Sequence, residues 1–414
     1  MTHNSSRRAL VVGMGISGIA TAARLHTAGW SPVIVERSAE RRRGGYFVAL
    51  FRAGRIAADH LGMSEHLHDR QSSAGGFVLD RKGGKRPGMS YADVPGQPWL
   101  MLRSDVEAAA HAVLPTEVEV RFATSPTAIT PDCDGVDVTL ENVETGAFTS
   151  ERFDLVVGCD GLRSTVRRLV FGPHENYLVR LDHMIAAFEY SGASLPVLEP
   201  GESGSLQEPG RSMMVFGFKD HDPTILMNYR TDDVDAEFTS PPAERLRAAF
   251  GPSAPGPALE AALSAADTSD TLLFDSAEQV HMKTWRHGRV VLVGDAAWCT
   301  TLYAGMGVSA GLVGADLLGA MLERHSDPES ALSEWESTLR PYIAEYQQMG
   351  QRQRSFFVQD NLLELTIMRL VPKIAKLPLT DRLVARFKPN SSFATDADVV
   401  GIATRLAPHP ARST

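Results

Sequence analysis

The chain has 414 residues, 43% of them hydrophobic and 22% charged, with a formal net charge of -9 at pH 7. That length exceeds one small core and favours two domains with a helical tail, and the acidic balance argues against a general nucleic-acid binder. Cys133, Cys159 and Cys299 lie far apart with no CxxC among them, so neither a disulfide framework nor a metal site is expected, and a reducing cytoplasm is the default location.

The start, "MTHNSSRRALVVG", passes from polar residues straight into a strand and lacks the apolar stretch of a signal peptide. "RALVVG" reads as a buried parallel strand ending in glycine. "SGIATAARLHTAGW" reads as a helix with Ser17 near its start, and "SPVIVER" as a second strand, completing a βαβ unit. "RAGRIAADHLGM" and "RSDVEAAAHAVL" have helical patterns, and "EVEVRF" and "GVDVTL" are short strands. "RFDLVVGCDG" is a further buried strand, with a helix in "LRSTVRRLVFG" after it. From about residue 174 to 285 the character changes to Met- and Phe-rich strand-like segments, "HMIAAFEY", "RSMMVFGF" and "TILMNYR", while "GPSAPGPAL" reads as a surface loop or helix lead-in. Residues 289–294 return to the buried parallel pattern, so the middle segment is an insertion. After Asp316 the chain reads as helical almost to Lys388, and "APHPARST" as frayed.

The expected fold class is α/β: a Rossmann-like dinucleotide-binding domain (residues 1–173 and 286–330), an inserted, mostly antiparallel β-sheet domain (174–285) and C-terminal helices (331–414). No apolar run reaches bilayer width. The basic and apolar stretch "LLELTIMRLVPKIAKLPLTDRLVARF" is read as packing across domains or at a dimer interface, because Pro372 and Pro378 interrupt any long amphipathic helix. A membrane partner is therefore disfavoured, and the chain is expected to be a monomer or homodimer.

Three glycine-acid motifs carry the chemistry. Gly13-x-Gly15-x-x-Gly18 follows a strand and opens a helix. Its first glycine permits the tight turn, its second the approach of a pyrophosphate, and its third close helix–strand packing. The helix N-terminus offers unpaired N–H groups and a positive dipole end. Glu36 stands about 20 residues on, where an acid binds ribose hydroxyls, with Arg37 beside it. Asp160 and Gly161 end another strand, at the edge where open α/β sheets bind ligands; a plain Asp-Gly turn is the competing reading. Gly294 and Asp295 end a third strand, ahead of Gly305-Met306-Gly307 and a helix rich in small residues. That helix N-terminus suits an anionic ring system; a close-packed core helix is the alternative.

Taken together and in this order, GxGxxG with its acid, "GCDGLRSTVR" and "GDAAWCTTLYAGMG" resemble the group A FAD-dependent aromatic hydroxylases, a family that includes para-hydroxybenzoate hydroxylase and the tetracycline-inactivating monooxygenases. The resemblance implies that Gly13, Gly15, Gly18 and Glu36 hold the ADP half of FAD. It implies that Asp160 and Gly161, flanked by Arg163 and Arg167, serve FAD and the nicotinamide nucleotide, and that Asp295 serves the ribityl or pyrophosphate part. "MLRSDVEAAAHAVL" resembles the family's arginine-led helix, placing Arg103 on the flavin chain, and "RRRGGYFVAL" the segment beside the isoalloxazine, with Gly45 close to it. Arg41, Arg42 and Arg43 meet NAD(P)H phosphates or form a solvated basic turn. Two departures stand out: Trp298 where the family often has His, and Thr301, Leu302 and Tyr303 where it often has prolines. Both are expected to border the flavin's reactive face. Cys159 is read as a small buried hydrophobe, and Cys299 as a minor candidate for a flavin link.

The implied activity is an NAD(P)H-consuming FAD monooxygenase. It inserts one atom of O2 into an aromatic or polyketide-like small molecule through a flavin C4a-hydroperoxide, by hydroxylation or Baeyer–Villiger chemistry. A dry pocket is required, and Phe188, Met213, Met214, Phe216, Met227 and Tyr229, with Trp298 and Tyr303, are the candidates to line it. His183, Tyr190 and Tyr229 lie in the right segment, but none is assigned as a catalytic base. The alternatives are a halogenase or reductase of the same superfold, although no Trp-x-Trp-x-Ile-Pro stretch is present, and a non-catalytic flavoprotein that sequesters a small molecule.

Overall fold

The computed structural model describes residues 7–366 apart from positions 42, 43, 95 and 252. Arg42, Arg43 and the tail that carries Pro372 and Pro378 lie outside the described residues. Among those described, the strands form two main sheets. The first has the order Arg286–His287, Val290–Leu292, Leu155–Gly158, Arg8–Val12, Ser31–Val35, Glu119–Arg121. Its outermost pair, Arg286–His287 with Val290–Leu292, is antiparallel, and every other pair is parallel. Its four central strands are buried, which is why they read as apolar runs. Register decides the function. Val12 pairs with Gly158 and Val35, and Gly158 with Leu292, so these strands end level and their following turns share one edge.

Helix Ile16–Thr27 lies against helix Gly307–Arg324. The two approach so closely that a Cβ at Gly311 would stand 2.4 Å from Ser17 Oγ, and one at Gly319 would stand 2.4 Å from Arg24 Cγ. The long helix Pro328–Phe357 packs over the second of these, with Trp335 Nε1 donating to Gly314 O at 2.9 Å. A three-stranded antiparallel sheet, Thr124–Pro131, Val136–Asn142 and Phe148–Phe153, flanks the first sheet.

The second sheet has the order Leu273–Val280, Leu178–Glu189, Thr224–Arg230, Arg211–Phe216, Ser203–Glu208, Gly76–Leu79, Lys85–Pro87. Its pairs are antiparallel except Ser203–Glu208 with Gly76–Leu79. It is thus an antiparallel sheet between two stretches of the first domain, but it also recruits Gly76–Leu79 and Lys85–Pro87 from well before residue 174. The span 174–285 also contains helices Pro242–Phe250 and Gly256–Thr268, the latter growing out of the segment read as a loop or lead-in.

These helices cover one face of the sheet, where Leu246, Phe250, Leu259 and Leu263 join Met184, Phe188, Met213, Met227 and Tyr229 in one core. The opposite face carries Ala187, Met214, Phe216 and Leu226, packed with Leu100, Leu102, Tyr46, Phe47 and Leu302. Successive strand residues point to opposite faces, so adjacent Met213 and Met214 serve different cores. Four of the expected pocket residues, Phe188, Met213, Met227 and Tyr229, therefore face away from the first domain. Tyr229 donates its hydroxyl to Glu237 Oε2 at 2.7 Å.

This assignment has a direct consequence. Met227 is fully buried on the helix side, so Met227→Ala is expected to cost about 2–5 kcal/mol in chemical denaturation through the cavity it opens. A Met227→Ala protein as stable as the parent would contradict its burial in that core.

Candidate functional site

The edge of the first sheet gathers the three motifs. Gly13 has φ +100, and a Cβ there would stand 2.7 Å from Cys159 O and 2.8 Å from Asp160 Cα. The first and second motifs are therefore in backbone contact. A Cβ at Gly18 would lie 1.9 Å from Gly13 O and 3.3 Å from Cys159 Cβ, the close helix–strand approach expected of the third glycine. Gly294, with φ +69, would place a Cβ 2.6 Å from Ser17 Oγ, so the late motif meets the helix that the first motif opens. One at Gly307 would stand 3.9 Å from Asp295 Oδ1, setting the Asp295 carboxylate beside the N-terminus of the Gly307–Arg324 helix.

Gly15 behaves differently. The nearest atom to a Cβ there is Arg103 Nη2, at 3.8 Å. The backbone at Gly15 thus looks into open space with a guanidinium across it. Arg103 opens helix Arg103–Ala112, whose start is fixed by Asp105 accepting from Leu102 N at 3.0 Å and by Arg103 N donating to Tyr46 O at 2.9 Å. Its Nη1 donates to Glu107 Oε2 at 2.6 Å. A Cβ at Gly45 would meet Ser104 N at 3.0 Å, so the Gly45 turn lies against the same helix start. Helices Ile16–Thr27 and Gly307–Arg324 both begin without a side-chain cap or an acid in the first turn, leaving N–H groups free for an anion. Glu36 accepts from Met14 N and Ser38 N, both at 2.9 Å, which ties the acid to the glycine turn; Arg37 is exposed.

Asp295 is exposed, yet surrounding protein pushes its carboxyl pKa up, with Arg103 and Cys299 opposing. Asp295 and the open backbone at Gly15 thus lie at one accessible edge of the sheet. Tyr46 and Tyr91 are half-buried, each phenol raised by burial. Above them Phe47 stacks on Phe216 with centroids 3.5 Å apart, and Tyr91 meets both edge-on. The motif turns thus face an aromatic cluster built from Phe47 and Tyr91 together with Phe216 of the second sheet. Tyr46, Phe47 and Tyr91 went unnamed in the sequence reading; the signal available was their place beside Gly45 and the strand leading to Arg103.

Other expected residues sit elsewhere. Trp298 is buried in a cluster with Trp285 (4.7 Å) and Trp335 (5.7 Å), behind the cleft rather than bordering it. Tyr303 is also fully buried, its hydroxyl 3.1 Å from His183 Nδ1. Asp160 caps helix Thr165–Val170, accepting from Ser164 Oγ, Thr165 N and Val166 N; Gly161, with φ +78, has open space above it. The fully buried Arg167 donates to Ala296 O at 2.8 Å and Leu162 O at 2.6 Å, riveting the second motif to the third. Arg163 pairs instead with Glu278 and Asp275 on the second sheet. Burial raises the Cys159 thiol to about 12 and pushes the Cys299 thiol up as well, so neither supplies a thiolate for a covalent link. Among the described residues no helix is long and apolar enough to cross a membrane, and no His/Cys/Asp/Glu cluster could hold a metal.

His183 provides a measurable handle. Burial, with Arg354 and Arg230 nearby and Asp360 opposing, lowers its pKa from 6.5 to about 4. The unfolded chain then takes up a proton at a higher pH than the folded one. Stability is expected to fall as pH drops from 6.5 towards about 4, and His183→Leu to flatten that part of the profile in thermal melts. An unchanged slope would mean that His183 titrates freely in the folded protein.

A model of the FAD binding domain family matches residues 7–330. A flavin-dependent monooxygenase of an unknown prokaryotic organism is 27% identical over 366 residues, covering 85% of this chain and 90% of that protein. The crystal structure of tetracycline destructase Tet(51) matches with a TM-score of 0.73 at 25% identity, over 89% of this chain and 96% of that one. Klebsiella pneumoniae HpxO complexed with FAD and uric acid shares the fold, with a TM-score of 0.71 at 16% identity, over 95% of this chain and 97% of its own.

Proposed function

The chain belongs to the FAD binding domain family and is an FAD-dependent monooxygenase, and we propose that it inserts one oxygen atom of O2 into an aromatic or polyketide-like small molecule with NAD(P)H as electron donor. The observation that carries this reading is the convergence of three sequence-distant glycine-acid turns on one cleft, facing an aromatic wall. When bound, FAD supplies the electron transfer and oxygen activation that no protein side chain offers.

The residues fit that cofactor. The open backbone at Gly15 and the N–H groups at the start of helix Ile16–Thr27 would bind the pyrophosphate, with the Arg103 guanidinium completing its charge balance. Glu36, oriented by Met14 N and Ser38 N, keeps lone pairs for ribose hydroxyls. Gly161 leaves room beside the same chain of contacts. Asp295 would bind the polyhydroxyl chain. Gly305, Met306 and Gly307 stand at the N-terminus of a long helix, which would stabilise negative charge on the ring. Gly45, beside Arg103, would leave room for the ring. Phe216, Met214 and Leu226, with Leu100, Leu102 and Phe47, exclude water from the reacting side. The likeness to a tetracycline destructase supports a polycyclic, oxygen-rich substrate. No side chain is assigned as a catalytic base.

The purified protein is expected to be yellow and to release FAD on denaturation. Gly15→Val fills the open space at the turn, and Asp295→Ala removes the cleft carboxylate; each is expected to strip nearly all the flavin. A substrate is expected to accelerate NAD(P)H oxidation and to gain the mass of one oxygen atom. A colourless, folded protein that refuses added FAD contradicts the reading, and full flavin retention by both variants contradicts the site assignment.

A further inference from the structure

The segment between Asp295 and Gly305 is strained and poorly satisfied. Thr301, a β-branched residue, has φ +66, a region that favours glycine. Trp298 Nε1, Thr300 Oγ1 and Thr301 Oγ1 are buried without hydrogen-bond partners. Such a conformation persists only when its surroundings over-determine it, and those surroundings are specific.

Gln279, fully buried on strand Leu273–Val280, is the hub. Its Nε2 donates to Thr300 O at 3.1 Å and to Gln347 O at 2.8 Å, and its Oε1 accepts from Gln351 Nε2 at 3.0 Å. His281 Nε2 stands 3.0 Å from the same oxygen. Gln347 returns the brace by donating to Val280 O at 2.7 Å, while Val280 N donates to Cys299 O at 3.1 Å. The long helix Pro328–Phe357 closes on this hub at Gly350, where a Cβ would stand 2.5 Å from Thr300 O, 2.8 Å from Thr301 Cγ2 and 3.1 Å from Gln279 Nε2. One turn of chain later Tyr303 is held by His183 and by Phe357, whose ring centroid is 4.8 Å away.

We infer that Gln279 and Gly350 are positioning residues for FAD: through them helix Pro328–Phe357 forces the Cys299–Ala304 segment into the strained path that aims Gly305–Gly307 at the cleft. This rests on the reading that FAD occupies that cleft. Gln279→Glu replaces the donating Nε2 by an oxygen facing two carbonyls, and Gly350→Ala drives a methyl group into Thr300. Neither residue lines the cleft itself, so any effect on the flavin passes through the segment.

The test compares the purified yellow protein with Gln279→Glu, Gly350→Ala, Gln351→Ala and, as a control, Leu332→Ala, a buried change near the far end of the same helix. The readouts are FAD released on serial dilution, the absorption bands of the bound flavin, and the melting temperature. Gln279→Glu and Gly350→Ala are expected to raise the FAD dissociation constant about tenfold and to shift the flavin bands. Gln351→Ala, which withdraws one hydrogen bond from the hub, is expected to do so by less, and remains informative where the stronger variants fail to fold. Leu332→Ala is expected to lower the melting temperature alone. If all hub variants melt earlier but keep the parent's flavin affinity and spectrum, Gln279 and Gly350 are core braces and the inference is wrong. A parent protein that binds no FAD is a separate result and overturns the underlying functional reading as well.

Discussion

The site depends on level strand ends. Because Arg8–Val12, Leu155–Gly158 and Val290–Leu292 pair in parallel with Val12 opposite Gly158 and Gly158 opposite Leu292, the chain must turn three times at the same height. Those turns crowd one another, and only glycine relieves the crowding. Gly13 has no room for a Cβ beside Cys159 and Asp160, and Gly294 none beside Ser17. The contacts that make the turns fit together also leave the backbone at Gly15 facing open space. The cleft is a by-product of register, and the motif side chains serve as its fittings.

Register alone gives only one wall. The other comes from the second sheet, whose two faces divide the work. One face is sealed by helices Pro242–Phe250 and Gly256–Thr268 and contributes stability; the other brings Met214, Phe216 and Leu226 against Phe47 and Leu102. Arg163 links the walls through Glu278 and Asp275, and Arg167 links the second turn to the third. The two arginines flanking Asp160 thus hold the site's parts together. Asp160 is likewise engaged in capping its own helix, so the second motif acts as a joint as much as a surface.

This division explains what was legible in the sequence. Gly13, Gly15, Gly18 and Glu36 lie within one local βαβ unit, where spacing fixes geometry, and the runs before Asp160 and Asp295 announced buried parallel strands. The face of each inserted strand was not legible: with both faces buried, Met213 and Met214 carry no polar alternation to tell them apart. Strands Gly76–Leu79 and Lys85–Pro87 are short and pair with each other, and the strand that joins them to the sheet, Ser203–Glu208, is remote in sequence. Helix Pro242–Phe250 did carry a local signal, proline in its first turn, overshadowed by the strand-like segments around it. Trp298 misled because it was judged by its motif neighbours, whereas Trp285 and Trp335, from other elements, decide where it packs.

The strain at Thr301 belongs to the same economy of long-range constraint. Gly305, with φ +66, and the helix starting at Gly307 leave the third turn through two short helical turns, Asp295–Trp298 and Leu302–Ala304, joined by Cys299–Thr301. A self-satisfied loop would settle into its own preferred turn and carry the helix start with it. Gln279 and the wall at Gly350 impose the direction from outside instead, which couples the cleft to a helix that never enters it.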